Sequence, residues 1–175
     1  MPAQHNVLNA LAAAACCVAL EISFDQIVSG LESFSGVPGR LQQHRLKNGA
    51  IVVDDTYNAS PSSVKAAINA LKQMNGRSVL VLGDMGELGK DEIELHEQVG
   101  VYAKAQGIDQ LVAIGELSKN AVEAFGSGAH SFSSKKDAAE FLLKELDGNT
   151  RLLVKGSRSS RMEDVVSFIT ERGMA

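Results

Sequence analysis

Two carboxylates, Asp54 and Asp55, stand side by side directly after the apolar run Ile51-Val52-Val53. That β-branched run reads as a buried strand. The polar stretch Thr56-Tyr57-Asn58-Ala59 follows, then Ser60-Pro61, where Ser60 suits a helix cap and Pro61 a first helical turn. In open α/β sheets ligands bind at the carboxyl ends of strands, so a polar ligand is expected at this turn. Adjacent strand residues point to opposite faces. One carboxylate can therefore brace the neighbouring loop while the other faces the ligand. A carboxylate there can accept from ribose hydroxyls or from a magnesium-bound water, each charge-assisted bond being worth about 1.5–3 kcal/mol. The plain alternative is that both merely end a strand and cap a helix. Spacing alone leaves the two open.

Other chemistry-bearing residues fall in turns that the same logic brings to one sheet edge: Gly83-Asp84, Gly115-Glu116 and Lys155-Gly156-Ser157-Arg158. Lys155 and Arg158 can bind a carboxylate or phosphate, Arg158 bidentately, and Gly156 lets a ligand approach the backbone. A solvated basic loop is the competing reading. Asn6 and Asn9 are three apart on a helical run and share a face, a spacing that on its own favours capping. His96 has Glu92 and Glu97 nearby but no His-Glu-x-x-His pattern, so a capping or core-edge role is expected rather than a metal ligand. The sequence has no Gly-x-x-x-x-Gly-Lys-Ser/Thr loop, no Gly-x-Gly-x-x-Gly fingerprint and no Gly-x-Ser-x-Gly elbow. Any nucleotide it meets must be held mainly elsewhere.

The elements that position these residues alternate. An alanine-rich helix over 4–20 comes first, expected to be buried on most sides. It starts with no strand before it, which suggests a stretch cut from something longer. A short helix spans Phe24 to Leu31, and Ser35-Gly36-Val37-Pro38-Gly39 reads as a linker between domains. Arg40 follows at once. Asn48-Gly49 between Leu41–Leu46 and Ala50–Val53 signals a hairpin with an antiparallel edge strand. Helices are then expected over 62–74, 93–106, 117–125, 135–146 and 160–171, with strands over 78–82, 110–114, 130–132 and 151–154. The inner face of the first of these helices is Val64, Ala67, Ile68 and Leu71. Such alternation with apolar strands predicts an α/β fold, a mostly parallel sheet with helices on both faces.

Composition bounds the function classes. The chain has 175 residues, 45% hydrophobic, with a mean hydropathy of −0.01, so it can build a core. A formal charge of −4 and a pI near 5.6 argue against a general nucleic-acid binder. Without Trp and with 5% aromatics, base-stacking platforms are not expected. No signal peptide and no membrane-spanning run is evident. Cys16 and Cys17, adjacent on one helix, read as small buried residues of a reducing compartment, and the chain as soluble and cytoplasmic.

Together the motifs resemble the carboxyl-terminal part of the Mur ligases. They are His5-Asn6-Val7-Leu8-Asn9-Ala10, Gly39-Arg40-Leu41, Asp54-Asp55-Thr56-Tyr57-Asn58-Ala59-Ser60-Pro61, Gly83-Asp84-Met85-Gly86-Glu87-Leu88-Gly89 with His96, and Val154-Lys155-Gly156-Ser157-Arg158 with Met162-Glu163. The Asp-Asp-x-Tyr-Asn-Ala and Lys-Gly-Ser-Arg forms resemble the branch that adds D-alanyl-D-alanine to UDP-N-acetylmuramoyl-tripeptide. The resemblance covers essentially the whole chain. It implies three domains in the full protein, of which residues 1–38 correspond to the helical tail of the central ATPase domain and 39–175 to a Rossmann-like C-terminal lid. It implies ATP and Mg2+ as cofactors, with the metal ligands mainly in the central domain and none here. By the same resemblance Asn6 and Asn9 lie near the adenine, Arg40 reaches the phosphates as the catalytic cation, and Asp55 holds the ribose. Tyr57 and Asn58 sit beside the nucleotide, and Lys155, Ser157 and Arg158 line the dipeptide pocket. A monomer without nucleic-acid or membrane partners is implied, inactive as this stretch alone. Ser60 is a departure from the resemblance, which leads one to expect Asn before the proline; this bears on a helix start more than on chemistry.

Three other readings compete. Another ligase of the superfamily, such as a folate polyglutamate ligase, is disfavoured by the Asp-Asp-Thr-Tyr-Asn form. A receiver-like signalling module would use Asp54, Asp55 and Lys155, but needs an acceptor aspartate where this chain has Ile114-Gly115-Glu116. A non-catalytic nucleotide- or partner-binding module is the third.

Overall fold

The computed structural model describes the backbone of residues 4–34 and 36–174, and the side chains of 7–34 and 36–173. It divides into two compact units, Met1–Val37 and Pro38–Ala175. Ser35, within the expected linker, lies outside the described residues.

The first unit is a helix pair, α1 (Gln4–Ala19) and α2 (Phe24–Ser33). Ser23 caps α2 through a reciprocal box with Gln26, satisfying amides that the first turn leaves bare. The expectation of burial is not met here. Among the described side chains of this unit only Ile27 is buried; Leu8, Leu11, Val18 and Phe24 are exposed, as is Cys16, while Cys17 is half-buried. Two helices form a single layer, and an apolar face needs a second layer to leave water.

The second unit is built on six strands in the order β1-β2-β6-β3-β4-β5. They are β1 (Gln42–Arg45), β2 (Ile51–Asp55), β3 (Arg77–Gly83), β4 (Gln110–Ile114), β5 (Ala129–Phe132) and β6 (Thr150–Lys155). Only β1 runs antiparallel, joined to β2 through the expected Asn48-Gly49 turn, where Gly49 takes φ +92°. Helices α3 (Pro61–Lys72), α4 (Glu92–Ala105), α5 (Lys119–Phe125), α6 (Lys135–Glu145) and α7 (Glu163–Met174) complete the unit.

Side-chain alternation sorts the strands into two cores. Val52, Val79, Val81, Val112, Leu152 and Val154 pack with Leu142 of α6 and Val165 and Ile169 of α7. Val53, Leu80, Leu82, Leu111 and Leu153 pack with Val64, Ile68 and Leu71 of α3, Val99 and Ala103 of α4, and Phe125 of α5. The split follows from right-handed crossovers. The steps β2→β3→β4→β5 all move one way along the sheet and put α3, α4 and α5 on one face. The return from β5 to β6 puts α6 on the other. The last helix starts at Glu163 rather than near Ser160, because a 3-10 turn (Arg158–Ser160) and left-handed Arg161 (φ +48°) intervene.

Candidate functional site

Because β2, β3, β4 and β6 are parallel, their carboxyl ends meet at one edge, and antiparallel β1 begins there. Gln42 pairs with Asp54, so Gly39-Arg40-Leu41 arrives beside the end of β2. Both carboxylates belong to β2, which extends two residues beyond the apolar run. They therefore face opposite ways. Asp54 is buried and accepts from the Thr56 hydroxyl (2.7 Å) and amide (3.1 Å), bracing the turn out of the strand. Asp55 accepts from the Leu41 amide at 3.3 Å and from Lys155 at 2.6 Å. Thus one carboxylate braces the loop, and the other ties the end of β2 to the segment entering β1 and to β6.

Arg40 is exposed, with its guanidinium 4.2 Å from the centroid of the Tyr57 ring, itself 48% exposed. Stacking of this kind holds a cation in one orientation without consuming its hydrogen-bond donors. The Tyr57 amide donates to the Gly39 carbonyl at 3.0 Å. A Cβ on Gly39 would stand 3.1 Å from that amide nitrogen and its φ is +71°, so glycine is required for the approach. Leu41 holds φ +53° beside it. Asn58 is exposed and turns its Oδ1 back to the Ala59 amide at 2.9 Å. Ser60 caps α3 in a reciprocal pair with Ser63, so serine starts this helix where asparagine was expected.

Lys155 is buried. Its ammonium donates to Asp55 Oδ2, to the Asn58 carbonyl at 2.8 Å and weakly to the Asp55 carbonyl at 3.5 Å. Ser157 is also buried; its amide donates to the Asp84 carbonyl (2.9 Å) and its hydroxyl meets those of Ser159 and Ser160. Arg158 is 69% exposed and pairs with Glu163 at 3.0 Å, a surface contact worth about 0–1 kcal/mol that leaves it free to engage a ligand. Asp84 does not face solvent chemistry: its carboxylate accepts from the Leu117 and Ser118 amides at 3.1 and 2.7 Å, holding the start of α5. His96 is fully buried, accepting from the Met85 amide through Nε2 at 2.9 Å. Nε2 must then be bare, so Nδ1 carries the proton and donates to the Glu92 carbonyl at 2.6 Å. It shapes the Gly83–Gly89 loop. Asn9 is exposed on α1; the side chains of His5 and Asn6 lie outside the described residues.

The structure thus gathers Arg40, Asp55, Tyr57, Asn58 and Lys155 around one turn. Sequence reasoning missed Leu41 as an anchor. It quoted Met162 in a motif but gave it no role; the side chain fills the space where Cβ atoms on Gly83 and Gly156 would lie, 2.6 and 2.5 Å from its Cγ. Gly83 at the end of β3 and Gly156 just after β6, its neighbour in the sheet, were the available signal for that plug. An exposed cation, a carboxylate with remaining lone pairs and an aromatic face fit a nucleotide. Among the described residues no group of three or more His, Cys, Asp or Glu is placed to hold a metal ion.

Residues 39–158 match the model of the Mur ligase, glutamate ligase domain. The chain belongs to the Mur ligase family. It is 42% identical over 176 residues to the UDP-N-acetylmuramoyl-tripeptide--D-alanyl-D-alanine ligase of Escherichia coli K12, a match covering 99% of this chain and 38% of that one. Among solved structures, MurF from Acinetobacter baumannii superposes with a TM-score of 0.89 at 36% identity, covering 96% of this chain and 38% of the other. The MurF ligase of Thermotoga maritima, solved in complex with ADP, superposes at 0.82 with 27% identity, covering 94% and 38%. The chain therefore spans about 38% of the length of these Mur ligases.

Proposed function

We propose that this chain is the carboxyl-terminal part of an ATP-dependent amide ligase of peptidoglycan precursor synthesis, one that adds D-alanyl-D-alanine to UDP-N-acetylmuramoyl-tripeptide. The observation that carries the reading is the Arg40–Tyr57–Asp55 turn at the carboxyl end of β2, within a chain so similar to enzymes of that activity. In this reading the tripeptide carboxylate attacks the γ-phosphate of ATP, breaking its bond to the β-phosphate so that ADP leaves, and gives an acyl phosphate. The dipeptide amine then attacks the acyl carbon, and phosphate leaves. Arg40 stabilises charge developing on the phosphates, Asp55 accepts from the ribose hydroxyls, and Tyr57 and Asn58 flank the nucleotide. Asn6 and Asn9 approach the adenine, and Ser157 and Arg158 meet the dipeptide. A cation carried next to Gly39 reaches the phosphates only when this unit closes over them, which keeps water from the acyl phosphate. Mg2+ would neutralise phosphate charge when bound, with ligands mainly in a central domain. Residues 1–38 are read as the tail of that domain. The enzyme is read as a cytoplasmic monomer, and the 175-residue chain alone as inactive.

The test is phosphate release by the ligase containing this chain, given ATP, UDP-N-acetylmuramoyl-tripeptide and D-alanyl-D-alanine. Release is expected to require the dipeptide, and Arg40→Ala to lower kcat by about 10²–10³ with unchanged stability. Release that depends on a single amino acid instead would favour another ligase of the superfamily. Nucleotide binding without release would favour a binding module.

A further inference from the structure

We infer that Lys155 is a positioning residue for the nucleotide-facing turn: its buried ammonium holds the Asp55 carboxylate and the Asn58 carbonyl in place and touches no ligand itself. This rests on the function proposed above, and departs from the family-based expectation that Lys155 lines the dipeptide pocket. Three observations carry it. The first is register. Asp55 and Lys155 are direct partners on neighbouring parallel strands, so both side chains emerge on the face covered by α3. The second is saturation. An ammonium has three donors, and three protein oxygens surround this one, at 2.6, 2.8 and 3.5 Å. The side chain is 4% exposed, against 69% for Arg158 in the same loop. Two close bonds, a weak third and near-complete burial turn this ammonium toward the protein rather than toward a dipeptide. The third is reach. The contacts join residues 97 and 100 positions apart in the chain, fastening the end of β6 to the turn that opens α3.

A carboxylate offers four lone-pair sites. Lys155 and the Leu41 amide occupy one each, leaving Asp55 able to accept two ribose hydroxyls in a fixed orientation. The ammonium also cancels the Asp55 charge, which would otherwise oppose the nucleotide phosphates. A buried ion pair is weak evidence for stability. One that sets the geometry of an adjoining site has a different reason to be there.

The experiment has two arms. In the 175-residue chain, amide hydrogen exchange is followed in Lys155→Met and Lys155→Gln. Exchange at Leu41 and Tyr57 should speed by about tenfold, a shift of about 1.4 kcal/mol, while Val81 in the core is unchanged. Unchanged exchange at Leu41 overturns the inference, and this arm does not depend on the ligase reading. In the ligase, Lys155→Met should raise KM for ATP while leaving KM for D-alanyl-D-alanine as in the wild type, with Lys155→Arg recovering part of the loss. Asp55→Asn combined with Lys155→Met should be no worse than Asp55→Asn alone, because the two act as one unit. The double variant also leaves no unpaired buried charge, so it remains measurable if Lys155→Met does not fold. A raised KM for the dipeptide, or additive losses on ATP, overturns the inference. A wild-type ligase that ignores the dipeptide would instead overturn the proposed function, and leaves the exchange result standing.

Discussion

At the scale of single residues, chemistry-bearing types divide into those that face out and those that hold the frame. Arg40 and Arg158 are exposed, whereas Asp54, Asp84, Lys155 and His96 use their polar atoms on the protein's own backbone or side chains. His96 gives the sharpest test of the second group. Its Nε2 accepts from the buried Met85 amide. His96→Ala is expected to cost about 1–3 kcal/mol for that orphaned amide, with the cavity adding to it. The urea midpoint should fall with unchanged slope; a midpoint equal to the wild type would show that the loop does not depend on this contact. The sequence placed His96 at the edge of the core because it lacked a metal pattern. Its full depth was also written there: His96, Val99, Gly100 and Ala103 recur at helical spacing, and all four are buried. What no spacing could tell is which backbone amide the ring would meet.

At the scale of elements, strands and helices follow from local periodicity, but contacts between them follow from register. The hairpin, the cap at Ser60 and the inner face of α3 were legible because each is settled within a dozen residues. The Asp55–Lys155 pair was not, since it needs β6 inserted between β2 and β3 with Asp55 opposite Lys155. The same distinction makes Gly100 informative. Inside an exposed helix, Gly→Ala gains roughly 1 kcal/mol. In α4 a Cβ at position 100 would overlap the backbone carbonyl of Ala121 in α5, which cannot rotate away. Overpacking typically costs about 1–3 kcal/mol, so Gly100→Ala should lower the melting temperature despite the better helix former. Gly30→Ala in α2, where nothing lies within 4 Å of the new methyl, should raise helix stability instead. If both substitutions stabilise, α4 and α5 can separate at little cost and the close approach is not a constraint.

At the scale of the molecule, the two edges of the sheet are specialised. The carboxyl edge carries the proposed site, while the amino edge is closed by acidic groups that fasten strand starts. Burial pushes Asp109 up, but hydrogen bonds from the Ser78 hydroxyl and amide, with the charges of Lys72 and Arg77, hold it below its ordinary 3.8. The Gln110 amide, joined by Arg77, outweighs burial and holds Glu145 below 4.5. The Thr150 hydroxyl does the same for Asp147, helped by the Asn149 amide. Farther off, the Lys135 ammonium lowers Asp164 between α6 and α7. Each group is more acidic folded than unfolded, so in acid the unfolded chain binds more protons. The stability they contribute is complete above their ordinary values of 4.5 and 3.8 and drains as the pH falls through the lower folded values. Denaturant midpoints should therefore hold at neutral pH and decline once the pH passes below about 4.5. Asp109→Asn separates charge from hydrogen bonding, since the amide keeps one acceptor for Ser78 but cannot titrate. The variant should be less stable than the wild type at pH 7 and converge with it as Asp109 protonates. A gap that stays constant across that range would mean that the charge at the amino edge contributes nothing, and that acid unfolds this domain through other groups.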